Sequence, residues 1–145
     1  MGLTGGKNIF PVVSLGVPHY IIIREAIMIN NKALSENEIK MLSFFTDKIE
    51  WQRDDIIYQI NHSEIRTECS PYFYIIKFVY EESSNLLSLN YKYDLRIQII
   101  HGDTAPTVMI LFIKEGRVQE FEVYNADSSN IVFERLYEGY IIKEF

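Results

Sequence analysis

The alternation of apolar and polar residues is clearest between Tyr91 and Tyr124. Tyr93, Leu95, Ile97 and Ile99 fall on one side, and Asp94, Arg96 and Gln98 on the other. That period of two is the pattern of a half-buried strand. His101–Pro106 follows with Gly, Asp and Pro, which favour turns through free φ, side-chain capping and fixed φ respectively. Thr107–Ile113 is apolar at nearly every position, which predicts a strand covered on both faces and therefore central. Lys114-Glu115-Gly116-Arg117 reads as a tight hairpin turn with Gly116 as its left-handed residue. Alternation then resumes, with Gln119, Phe121 and Val123 on one side and Val118, Glu120, Glu122 and Tyr124 on the other. The three runs predict an antiparallel meander that the rest of the chain packs against. A two-residue and a three-residue loop put opposite faces of the central strand against Phe121, so the pattern leaves the hairpin register open.

Upstream, Ser35 with Glu38 three residues later forms a capping box, and Leu34 and Ile39 are placed for a hydrophobic staple. Ile39, Leu42, Phe45 and Ile49 follow at helical spacing, flanked by Met41 and Phe44. This predicts a helix from Glu36 to about Lys48. Trp51–Asp55 reads as a polar link. Ile56–Ile60 and Glu64–Cys69 read as short strands joined at Asn61-His62-Ser63, and Tyr72–Tyr80 as an inner strand. Glu81–Asn90 reads as a loop, and Ile131–Phe145 as a last ribbon around Glu138-Gly139. The segment before Met28 has apolar pieces broken by Pro11, Gly16 and Pro18, unlike a secretory signal or a membrane helix. Tyr20–Ile23 in it reads as a short strand, and Gly5-Gly6-Lys7 lacks the spacing of a phosphate loop. The expectation is therefore an N-terminal extension over residues 1–29. Residues 30–145 then form a single α+β domain, with a mainly antiparallel meander sheet and one helix packed on one face.

Bulk properties narrow the function. The 145 residues are 48% hydrophobic and 23% charged, enough for a real core. The formal charge is −6, and Asp103–Phe145 holds eight acids against four bases. Without a basic patch the chain is not expected to bind nucleic acid, whereas a basic protein would be steered toward it. Cys69 stands alone, which excludes an internal disulfide and a cysteine-based zinc site and fits a reducing, cytoplasmic setting. It reads as a small buried hydrophobe.

No nucleophile elbow, zinc-protease helix, dinucleotide loop or calcium loop occurs in the sequence. Glu120 and Glu122 lie on one strand face about 7 Å apart, a spacing open to glycoside hydrolysis, metal binding or a solvated salt-bridge face. His62, His101 and Asp103 are the residues from which an acid–base site would be assembled, and His19 has no nameable partner. The reading favoured here assigns no catalytic residue, cofactor or metal.

The run H-x-D, an apolar strand, then E-G-R-V-x-E-F-E-V-Y-x-A-D resembles the C-terminal half of a family of small bacterial domains of unknown function. The residues that carry the resemblance are His101, Asp103, Gly116, Val118, Glu120, Phe121, Glu122, Tyr124 and Asp127, with Leu34, Ser35 and Glu38 upstream. The loop Gly102–Pro106 is longer than that family's turn and reordered. Some members accompany polymorphic toxins as immunity proteins. The resemblance therefore implies a non-enzymatic binding protein that occludes a cognate, basic toxin, with Glu120, Glu122 and Asp127 as contact residues. Two other readings stay open: a small hydrolase using His62, His101 and the carboxylates, and a structural homodimer joined through an edge strand or an aromatic patch.

Overall fold

The computed structural model describes residues 28–82 and 85–145. Tyr20–Ile23 and His19 lie outside the described residues. The chain divides into Met1–Asn30 and Asn31–Phe145, and the second unit is described here. It is α+β, with two helices and a six-stranded antiparallel sheet among the described residues.

Helix α1 runs Glu36–Thr46 and begins as its sequence dictates. Ser35 Oγ accepts from the Glu38 amide at 3.2 Å, and the Glu38 carboxylate accepts from the Ser35 amide at 2.8 Å. Two of the amides that a helix start leaves unbonded are thus satisfied reciprocally. Met41, Leu42 and Phe45 are fully buried, as is Ile49 just beyond the helix; Ile39 is only half-buried. The helix stops at Thr46, where the Asp47 amide turns back to Ser43 and Phe45.

A second helix, α2, spans Arg53–Asn61. The strand expected over Ile56–Ile60 is therefore helical, and the sheet is covered by two helices, not one. Ile56, Ile57 and Ile60 are buried together with Gln59, which is one helical stripe. A short apolar run does not distinguish strand from buried helix by periodicity. Asp54 and Asp55 in the first turn favour the helix, since carboxylates are stabilising at its positive end.

The strands are β1 (Glu64–Ser70), β2 (Phe73–Val79), β3 (Leu95–Ile100), β4 (Thr107–Lys114), β5 (Arg117–Asn125) and β6 (Tyr140–Glu144). Their spatial order is β1-β2-β5-β4-β3-β6. The meander β3-β4-β5 expected from the sequence is present, with β4 and β2 both interior. Tyr93, expected on the buried face, lies before β3 and is exposed. One face carries the core. Across it Ile76, Phe121, Leu111 and Leu95 form one row, and Tyr74, Val123, Met109 and Ile97 the next. Phe45 of α1 meets Phe121 with ring centroids 5.3 Å apart.

The β4–β5 turn is a two-residue loop. Glu115 and Gly116 both have positive φ (53° and 77°), and Lys114 faces Arg117. This turn matches the twist of the flanking strands. A bulge follows, because Ile113 faces Val118 while Phe112 faces Glu120, leaving Gln119 as the extra residue. The bulge turns Val118 into the core and Gln119 to solvent, reversing the sides expected for these two.

Gln59 of α2 completes the hairpin. It is 1% exposed. Its side-chain amide donates to Leu87 O at 2.9 Å and Gly116 O at 3.1 Å, and its carbonyl accepts from Val118 N at 2.9 Å. Gly116 has no room for a side chain, since a Cβ there would lie 1.8 Å from Ser88 Oγ. Beyond β5 the chain crosses the helix-bearing face, where Phe133 packs on Tyr74 and Tyr137 on Phe44, before β6 pairs with β3.

Gln59→Leu keeps the side-chain volume but strands the buried Val118 N–H. It is expected to lower unfolding stability by about 1–3 kcal/mol. Ser35→Ala removes one cap bond and is expected to cost about 1 kcal/mol. Urea unfolding of the two variants against the parent measures both.

Candidate functional site

The sheet has a second face, opposite the helices. Side chains alternate along each strand and facing partners share a side, so the pairing places them. One row across this face reads Glu68, Ile75, Glu122, Ile110, Arg96, Glu144. The next reads Arg66, Lys77, Glu120, Phe112. On the other side Phe73, Tyr124, Val108, Gln98 and Ile142 line up. Ile75, Ile110, Phe112, Phe73 and Tyr124 are half-buried. Both described helices pack on the other face, through Phe45 against Phe121 and Gln59 against Val118.

Glu120 and Glu122 therefore sit near the middle of a partly apolar face that neither described helix covers. A hydrogen bond that the protonated Glu122 carboxyl donates to Glu120, burial, and the Glu120 charge raise the Glu122 carboxyl to about 7, while Lys77 pulls the other way. Two neighbouring carboxylates resist ionising together, so one keeps its proton. Lys77 is held 3.1 Å from Glu68, a bond that raises its own affinity for the proton. Farther along, Arg96 Nε lies 3.0 Å from the Glu144 carboxylate without hydrogen-bond alignment. The face thus carries charges of both signs over a partly apolar floor.

Asp127 is not on this face. It sits beyond the end of β5, where its carboxylate accepts from Ser129 N at 3.0 Å and Ser129 Oγ at 2.6 Å. Those bonds hold it below the usual carboxylate range. Its geometry is that of a turn-forming aspartate.

His62, His101 and Asp103 are not gathered into one site. His62 stacks on Tyr58 with centroids 3.9 Å apart, and its Nδ1 lies 2.8 Å from Tyr58 O. It lines a cleft of about 590 Å³ with Ser63, Glu64, Val79, Tyr80 and Glu81. His101 lines a different cleft, of about 390 Å³. There its Nδ1 faces Glu138 O and its Nε2 faces Thr107 Oγ1, each at 2.9 Å. Thr107 donates in turn to Asn125 Oδ1 at 2.6 Å, and Asn125 Nδ2 donates to Asn130 O at 2.8 Å. Both ring nitrogens are committed to a network that ties β3, β4 and β5 to the segment before β6. Asp103 pairs with Arg135 at 3.2 Å on the surface. Cys69, expected to be buried, is exposed, and it lies on the edge strand β1.

Sequence reasoning missed two features. Trp51, read as part of a polar link, is 55% exposed and leans on Tyr91, with centroids 4.8 Å apart, in a cleft shared with Lys48, Lys143 and Phe145. Its exposure had no signature in the pattern. Lys77 opposite Glu120 depends on the β2–β5 register, which no local pattern specifies. Among the described residues, no group of three or more His, Cys, Asp or Glu is placed to hold a metal ion. Nor is any described helix long and apolar enough to cross a membrane. No protein-family model, no curated protein and no solved structure matches this chain.

The raised Glu122 carboxyl has a thermodynamic consequence. Between about 4.5 and about 7 the folded chain keeps a proton that the unfolded chain releases. The stabilisation is full below 4.5 and is lost as pH rises through 7. Glu122→Gln removes this dependence. Its midpoint of thermal unfolding, relative to the parent, is expected to rise across that window and then level off. Calorimetric melts at a series of pH values read the difference directly.

Proposed function

We propose that this chain is a non-enzymatic protein-binding module, and that it binds and neutralises a cognate bacterial toxin by occlusion, as an immunity protein does. The observation that carries the reading is the sheet face that neither described helix covers. Its Glu120–Glu122 pair stands among the half-buried side chains of Ile75, Ile110 and Phe112. A surface with an apolar floor and a charged centre is suited to a protein partner, where partly apolar contact and complementary charge act together. A lysine or arginine of the toxin would replace the shared proton between the two glutamates. The formal charge of −6 favours encounter with a basic partner. The toxin itself is identified by its basic docking surface and not by its chemistry. The hydrolase reading would need the histidines in one pocket, and they line separate clefts.

The test is calorimetric titration of the full chain with the C-terminal region of the toxin encoded beside its gene. One-to-one binding with loss of toxin activity is the expected result. Alanine at Glu120 and Glu122 together is expected to cost at least about 2 kcal/mol of binding, the size of a hot-spot truncation. Alanine at Asp127, bonded within its own turn, is expected to cost less. Unchanged binding after the glutamate substitutions removes this face as the contact surface, and no binding by the parent chain removes the immunity reading.

A further inference from the structure

Strand β1 ends the sheet at the side opposite β6. All seven of its residues pair with β2 without a break, from Glu64 against Val79 to Ser70 against Phe73. It therefore lacks the bulge and the proline that commonly block edge pairing. Among the described residues nothing pairs with its outer side. Glu64, Arg66, Thr67, Glu68 and Cys69 are exposed, and Ile65 is half-buried. Charge is the remaining protection for such an edge. Here the charges are of both signs, and their order matters.

Two copies of β1 related by a twofold axis perpendicular to the sheet run antiparallel, with both helix layers on one side. Facing residues then point to the same side, so registers advance two residues at a time. Centring on Arg66 sets that arginine against its own copy and Glu64 against Glu68 of the second chain. Centring on Glu68 sets two glutamates together. Centring on Thr67 sets Arg66 against Glu68 twice on the face opposite the helices, Ile65 against Cys69 on the helix face, and the two threonines against each other. Of the three registers that keep most of the strand, this one has no like charges opposed, and cross-strand ion pairs favour it.

We propose that β1 is a self-association edge, joining two copies of this chain antiparallel about Thr67 into one continuous sheet. The other edge is a poorer candidate. Strand β6 is five residues long, and Lys143 is tied back by donating to Lys48 O at 3.1 Å. A single strand pair buries less than the interfaces of tight complexes, so the dimer is weak and forms with rising concentration. Raising salt weakens it further, because both ion pairs are solvent-exposed. The contact is independent of the toxin-binding reading, since it needs neither Glu120 nor Glu122.

Sedimentation equilibrium of the full chain at low salt tests it. The parent is expected to pass from monomer to dimer at about 0.1 mM, the strength of a small interface. R66E or E68R alone opposes like charges at two places and is expected to weaken association about 5- to 10-fold. The double variant R66E/E68R exchanges the partners and is expected to return association to within about twofold of the parent. Thermal melts establish that each variant is folded, as substitutions at these exposed pairs leave the core untouched. A parent that stays monomeric overturns the proposal. So does a dimer indifferent to both single reversals, or a double variant that fails to recover.

Discussion

One amide holds the architecture in register. Gln59 reaches from α2 to three backbone groups in the β4–β5 hairpin and the loop before β3. The need for it arises in the sheet. The bulge at Gln119 breaks the ladder beside a buried position, and a backbone N–H there must find another acceptor. Val118 N finds it in Gln59 Oε1. The same side chain donates to Gly116 O, which also accepts from Leu89 N at 2.8 Å. Hairpin, helix and loop are thereby fixed to one another at a point where apolar packing alone would permit sliding. A buried polar group with every bond made specifies geometry in a way that burial does not.

The hairpin geometry in turn decides what each face of the sheet can do. With Val118 turned inward, the helix-bearing face is continuous from Val118 to Val123, and α1 and α2 close over it. The opposite face receives Glu120 and Glu122. The Thr107–His101–Asn125 network secures the far end, where the chain leaves β5 and returns as β6. Gly139 makes the return possible. Its φ is 120°, and a Cβ there would lie 2.2 Å from Ile100 O, inside the pairing of β6 with β3.

The sequence was legible where one local rule was enough. The capping box at Ser35, the alternation from Leu95 to Ile99 and the apolar run of β4 each state their structure through their own residues. It misled where the answer lay in tertiary context. Ile56–Ile60 is equally apolar in a strand or a helix, and the fit of Ile56, Ile57 and Ile60 to the sheet chose the helix. Cys69 alternates like a buried residue yet falls on the edge strand β1 and is exposed. The bulge was invisible because nothing in Arg117-Val118-Gln119-Glu120 marks which residue is extra. The glutamates were legible as a same-face pair. Their shared proton and the facing lysine needed the pairing of β5 with β2.

The glutamate pair is the place where local physics and global fold disagree most plainly. A solvated sheet face is best served by alternating signs or by neutral polar residues, because like charges two positions apart repel. This chain pairs opposite charges elsewhere on the face, with Lys77 beside Glu68 and Arg96 beside Glu144. It then sets two carboxylates side by side at the centre, one of them retaining its proton toward neutrality. A glutamine at position 122 would relieve that conflict without disturbing the backbone. Consistency across levels is the ordinary condition of a folded sequence, and functional sites are where it is most often given up. That disagreement, set on a face that neither described helix covers, is the physical ground for the proposed binding surface.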